Sequence, residues 1–304
     1  MQFQGTAKLP ASIEITPKQA IEATNLPGLF PDGTRVYIAD IGSESELLIR
    51  AARRVHDLGY VPVPHFAARR LTSRATLEDR VKAMAEQSGV TDVLVIGGGL
   101  DRPRGEFSSS MAVLETGLFD KYGIRDIAIA GHSEGNPDCP EAAVSEALKL
   151  KAAFAERSGA RMRIVTHFGF DAEKFIAWAG RLRESGIDLP VHLGVAGPAK
   201  VTTLLKYAAI CGVGNSLAIL KKRASALAAL MTRFSPDTVV EPLERHVAST
   251  PQSPIRQIHV FPFGGIDAAA EWLRSRGSWN ADTLRAAACL MAPPLSMGSR
   301  LPLP

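Results

Sequence analysis

Short runs rich in β-branched residues alternate with longer helical patterns along most of the chain, and this alternation limits the fold more than any other feature. Most of the runs are almost continuously apolar, which is typical of parallel strands covered by helices. We predict eight strands: Ser12–Thr16, Arg35–Asp40, Val61–Phe66, Asp92–Gly97, Asp126–Gly131, Arg163–Phe168, Val191–Ala196 and Gln257–Phe263.

The segments between these strands carry apolar residues at the three- and four-residue spacing of amphipathic helices. We predict helices over Ser45–Leu58, Leu77–Gln87, Ser109–Lys121, Glu141–Arg157, Asp171–Ser185 and Lys200–Ile210, with Asp171 as an N-cap. Eight strand–helix units in 304 residues, with no linker, predict a single-domain α/β fold over residues 1–304, the (β/α)8 TIM barrel. An open doubly wound sheet is the alternative, but it would usually show a G-x-G-x-x-G turn after the first strand, where Thr16-Pro17-Lys18 stands instead.

Two segments fall outside this alternation. Residues 212–254 form an insert before the last strand, with a predicted helix over Asn215–Phe234 and a second short helix in the Pro- and Ser-rich stretch that follows. The insert is a candidate surface for a homo-oligomer. Residues 292–304 are predicted to be a loose tail.

The composition excludes several classes of function. Net charge is +4 and aromatic residues are 6% of the chain, with no basic cluster, so we expect no nucleic-acid partner; a small anionic substrate fits better. The cysteines Cys139, Cys211 and Cys289 are odd in number, far apart in the sequence and form no C-x-x-C, which argues against a disulfide framework and against a zinc site. We find no signal peptide and no apolar stretch of about 20 residues, and therefore expect a cytoplasmic protein without a membrane span.

Polar residues at the C-terminal ends of barrel strands are the expected site residues of this fold. The predicted strands one to six place the following residues there or in the loops that follow: Glu14, Thr16, Asp40, His65, Asp101, His132, Glu134, Asn136, Thr166 and His167. None of the histidines has the i, i+3 or i, i+4 spacing of a metal site, so no metal is expected.

Glu14 is the strongest candidate for chemistry, because it stands within a strand between Ile13 and Ile15. Its carboxylate points either into the barrel or against the helices, and burial in either place would raise its pKa and suit it to act as a general acid. A structural role in a polar barrel layer is the alternative. Packing roles are equally open for His65 and His167, and a solvated loop for His132–Pro137.

Five segments, in order along the chain, resemble the methylenetetrahydrofolate reductase family. The segment S-I-E-I-T-P-K at Ser12–Lys18 resembles the family's opening strand, and P-H at Pro64-His65 resembles its P-H-L-T. The other three are G-H-S-E-G-N-P at Gly131–Pro137, L-K-L-K at Leu148–Lys151 and T-H-F-G-F-D at Thr166–Asp171. Order and spacing agree over roughly Ser12–Pro198.

The resemblance implies reduction of 5,10-methylenetetrahydrofolate to 5-methyltetrahydrofolate with NAD(P)H, usually through FAD. Glu14 takes the place of the family's catalytic acid, and His167 stands where the family has a folate-contacting Gln. Asp101 and Thr166 are assigned to the folate with His167. His65, His132, Glu134, Asn136 and Asp40 are assigned to the cofactor.

Three departures from the family bear on the flavin. The family's R-G-D after the fourth strand reads Gly97-Gly98-Gly99 here, with Asp101 the nearest acid, and its Arg-Lys pair for the FAD phosphates reads Ala152-Ala153. The family's second loop His is Asn136. Each lost cation removes a bond of about 1.5–3 kcal/mol to a pyrophosphate, so FAD is expected to bind weakly or not at all. Our hypothesis is direct hydride transfer from NAD(P)H; the alternatives are a tetrahydrofolate-dependent methyl or one-carbon transferase and a non-catalytic folate-binding subunit.

Overall fold

The predicted strands close into a barrel in a computed structural model that describes residues 8–136, 139–210 and 233–280. The barrel strands are β1 Ala11–Ile15, β2 Arg35–Ile38, β3 Val61–Ala67, β4 Asp92–Ile96, β5 Asp126–Gly131, β6 Arg161–Gly169, β7 Val191–Ala196 and β10 Ile255–Phe261. Their order around the barrel is β1-β10-β7-β6-β5-β4-β3-β2, and all neighbours are parallel. The (β/α)8 barrel predicted from the alternation is confirmed, and all eight strands were placed to within a few residues.

Helices surround the barrel. They are α1 Pro17–Glu22, α2 Ser45–Asp57, α3 Arg74–Ser88, α4 Ser110–Leu114, α5 Leu118–Lys121, α6 Glu141–Ser158, α7 Ala172–Glu184, α8 Val201–Ile210, α9 Asp237–Ser249 and α10 Ile266–Ser275. In the ranges that the structure describes, none of these helices is long and apolar enough to cross a membrane.

Local capping explains where several helices begin. Asp171 accepts hydrogen bonds from the backbone N–H groups of Glu173 and Lys174, so the predicted N-cap of α7 is confirmed. The short helix α1 was not predicted, although Thr16 and Gln19 form a capping box around Pro17. The prediction of one helix over Ser109–Lys121 was wrong, because Gly117 adopts a φ of +72° and divides it into α4 and α5.

The insert between β7 and β10 is only partly described. Ala199–Lys200 forms strand β8, which pairs antiparallel with β9, Arg233–Phe234. The predicted helix over Asn215–Phe234 is therefore wrong at its last two residues, and residues 215–232 lie outside the described ranges, as does the predicted tail at 292–304. The second predicted helix of the insert is α9.

The strands bury their two faces in different surroundings. Residues such as Ile13, Val36 and Ile164 point outward and form the main apolar core with the helices. A much smaller apolar cluster lies inside the barrel, made of Tyr37, Val63, Leu94, Ala128 and Val165. The rest of the interior is largely polar, and that polar interior leads to the candidate site.

Candidate functional site

Glu14 lies inside the barrel near the C-terminal ends of the strands. Its neighbours Ile13 and Ile15 are buried in the outer core, so strand alternation turns Glu14 inward. The side chain is 20% exposed, so the carboxylate can be reached from the open mouth of the barrel.

Three imidazoles from other strands surround this carboxylate. Nε2 of His65 on β3 and Nε2 of His259 on β10 each lie 3.5 Å from Oε2 of Glu14. His167 on β6 is close enough to act electrostatically on the same group. Only the His259 contact has hydrogen-bond geometry; Nε2 of His65 is buried without a hydrogen-bond partner. The structure thus brings together the predicted residues Glu14, His65 and His167.

The expectation that burial would leave Glu14 with a raised pKa was wrong. Desolvation does act in that direction, but the hydrogen bond from His259 and the positive charge that His65, His259 and His167 can carry outweigh it and lower the pKa. Burial in turn lowers the pKa of His65 and of His167, against the opposing effect of Glu14. Glu14 is therefore a carboxylate at neutral pH.

His259 is the site residue that the sequence analysis missed. Its ring is fully buried, and its Nδ1 lies 3.0 Å from the hydroxyl of Ser12 on β1. The centroid of its ring lies 4.4 Å from that of Tyr37 and 4.8 Å from that of Phe261. A signal was present, because Gln257, His259 and Phe261 alternate with apolar residues in a strand whose polar positions could only face inward.

An ion-paired layer closes the barrel below these imidazoles. Asp92 accepts hydrogen bonds from Nη2 of Arg163 and Nε of Arg35, each at 2.8 Å. Arg163 also donates to the hydroxyl of Tyr37, at 2.8 and 3.0 Å. His192 lies in the same interior, and burial followed by the charges of Arg163 and Arg35 lowers its pKa well below the ordinary value. We refer to Asp92, Arg163, Arg35 and Tyr37 as the barrel floor.

His132 connects the mouth to a groove on the outside of the barrel. Its ring centroid lies 5.4 Å from that of His167. Burial, then His167 and Lys151, lower the pKa of His132 to about 4. The same residue lines a groove of about 420 Å³ between α6 and α7, whose walls include Trp178 and Arg181.

Glu134 and Asn136 belong to the same loop as His132. Glu134 lines the same outer groove, and its Oε1 would lie 3.1 Å from a Cβ at Gly169. Asn136 pairs with Cys139 in an isolated β-bridge. Cofactor binding by these residues stays a prediction.

Three predicted residues are not brought to Glu14. Asp40 is engaged in a buried ion pair with Arg80 of α3, at 3.0 Å, and acts electrostatically on His65 rather than on Glu14. The hydroxyl of Thr166 donates to the carbonyl of His167 and accepts from the N–H of Gly194, both at 2.8 Å, so its polar atom is used in the barrel wall. Asp101 is exposed in the loop after β4.

Aromatic side chains continue outward from His259 along one side of the mouth. Phe261 and Phe263 have nearly parallel rings, with centroids 5.8 Å apart. The ring of Tyr207 on α8 stacks on Phe263 at 4.3 Å and 19°, and is 37% exposed. We call Phe261, Phe263 and Tyr207 the aromatic wall. Stacked rings beside a carboxylate suit a planar, hydrogen-bonding ligand.

The arrangement can accept, hold and pass a proton, and can stabilise a cation next to Glu14. Within the described ranges, no group of three His, Cys, Asp or Glu side chains is arranged to hold a metal ion. Carboxylate and imidazole side chains in this arrangement provide acid–base and electrostatic chemistry.

No protein-family model matches the chain. Several solved structures are similar to it in fold. Dihydropteroate synthase from Thermus thermophilus has a TM-score of 0.44 at 16% identity, covering 90% of this chain and 94% of that chain. Thiamine phosphate pyrophosphorylase from Pyrococcus furiosus has 0.43 at 11%, covering 90% and 99%. An intracellular xylanase from Thermoanaerobacterium saccharolyticum has 0.40 at 11%, covering 85% and 86%.

Proposed function

We propose that this protein reduces 5,10-methylenetetrahydrofolate to 5-methyltetrahydrofolate, with hydride taken directly from NADH or NADPH. The observation that carries the proposal is the group formed by Glu14, His65, His167 and His259 at the open end of the barrel. The reaction requires a proton source and a negative charge beside a cationic intermediate, and this group offers both. The resemblance over Ser12–Pro198 supports the choice of substrate.

The proposed reaction has two steps. A proton delivered to the N10 nitrogen of the substrate breaks its bond to the bridging methylene carbon, which becomes a cationic iminium on N5. Hydride from NAD(P)H then reduces this carbon to the methyl group, leaving NAD(P)+. Because Glu14 is ionised before substrate binds, its first role is to stabilise the iminium charge. A proton from solvent at the open mouth reaches N10 through Glu14, which takes it up and passes it on.

The aromatic wall supports the same substrates. A pterin and a nicotinamide are both planar, and the exposed ring of Tyr207, which is stacked on Phe263, provides a stacking surface for them. The pterin and the nicotinamide must be in contact with each other for direct hydride transfer. A mouth with one polar side and one aromatic side can bind the two together.

The residues at the family's flavin positions do not fit a flavin pyrophosphate. Ala152 and Ala153 present methyl groups on α6, and the nearby Lys151 is buried, with a pKa lowered by desolvation. A pyrophosphate needs cationic or N–H donors at close range. No step is therefore routed through a flavin.

The test is a spectrum and a rate measured on the purified protein. We expect a colourless protein that oxidises NADH or NADPH only when methylenetetrahydrofolate is present, with ternary-complex kinetics. Glu14→Gln should lower kcat by about 10²–10⁴-fold, the usual effect of a lost acid–base group, with little change in folate affinity. Asp188→Asn is the matched control and should retain the rate, since Asp188 is exposed in the loop before β7, at the end of the barrel opposite the mouth.

Two outcomes would redirect the proposal. Stoichiometric flavin absorbance with ping-pong kinetics would refute direct transfer. Tight folate binding with no nucleotide oxidation would favour a tetrahydrofolate-dependent methyl or one-carbon transferase, which the ionised state of Glu14 also suits, because a carboxylate can accept a proton from a methyl acceptor. A Glu14→Gln variant as active as the native protein would remove Glu14 from either chemistry.

A further inference from the structure

Two neighbouring segments at the mouth of the barrel carry most of the net charge of the chain. Residues 68–76 run from the end of β3 into α3, and residues 97–108 connect β4 to α4. Together they contain five arginines and two acidic residues, a net charge of +3 out of the +4 of the whole chain. The sequence shows no basic cluster, because the pairing of β3 with β4 brings together arginines from separate segments. We call these two segments the cationic rim.

Hydrogen bonds fix the two segments of the cationic rim against each other. The N–H of Arg104 donates to the carbonyl of Arg69 at 2.8 Å, and the N–H of Arg69 donates to the carbonyl of Gly97 at 2.9 Å. The guanidinium of Arg69 donates to the carbonyls of Leu100 and Ser108, at 2.9 and 3.1 Å. The side chain of Arg69 therefore braces the rim, and its neighbours are left to bind a ligand.

Three other arginines of the rim are not neutralised by a carboxylate. Within residues 8–136, 139–210 and 233–280, Arg70, Arg102 and Arg104 form no ion pair, and the last two are exposed. Of the two acids in the rim, Glu106 accepts a hydrogen bond from the first N–H of α3 at 2.9 Å, and Asp101 is exposed. A guanidinium presents N–H donors in a planar fork that matches the oxygens of a phosphate. The rim thus offers several such donors at the mouth.

The run Gly97-Gly98-Gly99 provides a surface without side chains in the same rim. A Cβ at Gly97 or at Gly99 would meet no atom within 4 Å, so there is open space over both residues. Gly98 has a φ of +86°, which residues with a side chain rarely adopt. In the part of the chain that the structure describes, no protein group accepts the N–H of Gly98 or of Gly99. Successive backbone N–H groups of this kind form concave sites for anions.

The cationic rim lies across the mouth from the aromatic wall. In the closed order β1-β10-β7-β6-β5-β4-β3-β2, the strands four places away from β10 and β7 are β4 and β3. The residues of the aromatic wall belong to β10, to the loop after it and to α8, which follows β7. A ligand in the mouth can therefore place a planar ring at one side and an anionic group at the other.

We propose that the cationic rim binds the diphosphate of NADH or NADPH. Arg70, Arg102 and Arg104 supply the positive charge. The N–H groups of Gly98 and Gly99 donate to the same phosphate oxygens. The glutamate carboxylates of a folate are the other anionic groups available, but tetrahedral phosphates accept from several directions, which guanidinium and backbone donors together provide. The nicotinamide then extends from the rim into the mouth. The choice of nucleotide rests on the proposed function.

Calorimetry with ADP-ribose tests this site without any reaction, because ADP-ribose has the diphosphate but no nicotinamide. We expect the double variant Arg102→Ala/Arg104→Ala to raise both the Kd for ADP-ribose and the KM for NAD(P)H by about 10- to 100-fold, since a lost charge-assisted hydrogen bond weakens binding by about 10-fold or more. The kcat at saturating nucleotide and the affinity for tetrahydrofolate should be unchanged. Arg125→Ala is the matched control, since Arg125 is exposed before β5, at the opposite end of the barrel.

Gly99→Ala tests the glycine surface separately from the charge. The added methyl group meets open space in the protein alone, so Tm should be native. The same methyl group would occupy space that the diphosphate needs, and the Kd for ADP-ribose should rise by about 10-fold, the equivalent of one lost hydrogen bond to a charged group. Gly180→Ala, where a Cβ in α7 also meets open space, should leave this Kd unchanged.

Each outcome of these titrations, made with and without tetrahydrofolate, decides the matter. ADP-ribose that does not bind the native protein, or that binds the double variant equally well, would overturn the proposal. A double variant that loses affinity for tetrahydrofolate and keeps it for ADP-ribose would assign the rim to the folate carboxylates instead. If the protein oxidises no NAD(P)H but binds ADP-ribose through the two arginines, the proposed function fails and the diphosphate site stands.

Discussion

Removing the charge of Asp92 should destabilise the whole barrel, because this carboxylate holds the barrel floor together. Its side chain is 2% exposed and accepts hydrogen bonds from both Arg163 and Arg35. Burial opposes the charge of Arg163, but Asp92 and Tyr37 outweigh it and raise the pKa of this guanidinium, so Arg163 is charged at any pH at which the protein folds. Asp92→Asn therefore leaves a buried cation without a counter-charge.

The size of the effect follows from that burial. Breaking a buried ion pair from one side costs about 3–5 kcal/mol. At about 2–4 °C per kcal/mol for a domain of this size, the Tm of Asp92→Asn should fall by about 6–20 °C. Glu115→Gln is the control, since Glu115 pairs with Arg157 at 2.7 Å but both side chains are more than half exposed, and such a pair contributes about 0–1 kcal/mol.

Thermal unfolding followed by circular dichroism at one fixed scan rate measures both variants. Adding Arg163→Met to Asp92→Asn removes the uncompensated charge, so the double variant should recover part of the loss rather than add to it. If Asp92→Asn lost no more stability than Glu115→Gln, or if the double variant were simply additive, the reasoning about the floor would be refuted.

Three further results are expected. The pKa of His132 is about 4 in the folded protein and about 6.5 in an unfolded chain. The neutral imidazole should therefore contribute about 3 kcal/mol to the free energy of unfolding, fully present above pH ~6.5 and lost as pH falls toward ~4. In denaturant titrations, His132→Asn should flatten the dependence of this free energy on pH between those values, and a parallel dependence in the two proteins would contradict the reasoning. Lys151→Met should leave Tm unchanged or raise it, because it removes a buried charge whose desolvation lowers its pKa; a fall of several degrees would show that Lys151 has a partner role. Gly194→Ala should lower the free energy of unfolding by about 1–3 kcal/mol, since its Cβ would lie 2.4 Å from the carbonyl oxygen of Thr166. Gly180→Ala in α7, where a Cβ meets open space, should instead raise it by up to about 1 kcal/mol. Equal effects of the two variants in denaturant titrations would contradict the close approach of β6 and β7.

The sequence predicted the barrel well because the signal for each parallel strand is local. A run such as Asp126–Gly131 is apolar on both faces, and no partner has to be known to identify it as a buried strand. The same locality explains the error at Gly117, where one positive φ breaks a pattern that otherwise reads as a single helix. The caps at Asp171 and Thr16 depend on two or three neighbouring residues and are equally visible in the sequence.

The site was harder to predict, because the direction in which a side chain points and the residues that it contacts are not determined by its neighbours in the sequence. Thr166 and His167 are consecutive in β6, and residues in consecutive positions face opposite sides of a strand, so only one could point into the mouth. Asp40 follows β2 and His65 lies near the end of β3, but only the structure shows that Asp40 pairs with Arg80 on a helix. These assignments require the three-dimensional neighbours.

The pKa of Glu14 was mispredicted for the same reason. From the sequence, only burial could be considered, and burial alone raises the pKa of a carboxylic acid. The groups that reverse the sign come from β3, β6 and β10, and the last of them, His259, is 245 residues away. The inward position of Glu14 could thus be anticipated from the sequence, but not the direction of its pKa shift.

The layers of the barrel interior together determine where a proton can be held. Below the site, two arginines face one carboxylate, so the barrel floor is positively charged overall and disfavours a second proton on His192. Above it, burial also lowers the pKa of His65 and of His167, but the negative charge of Glu14 opposes that shift. The groups that act on His192 beside burial are cationic and lower its pKa further. The interior is therefore least favourable to a protonated imidazole near the barrel floor and less unfavourable beside Glu14, at the open end where a substrate would bind.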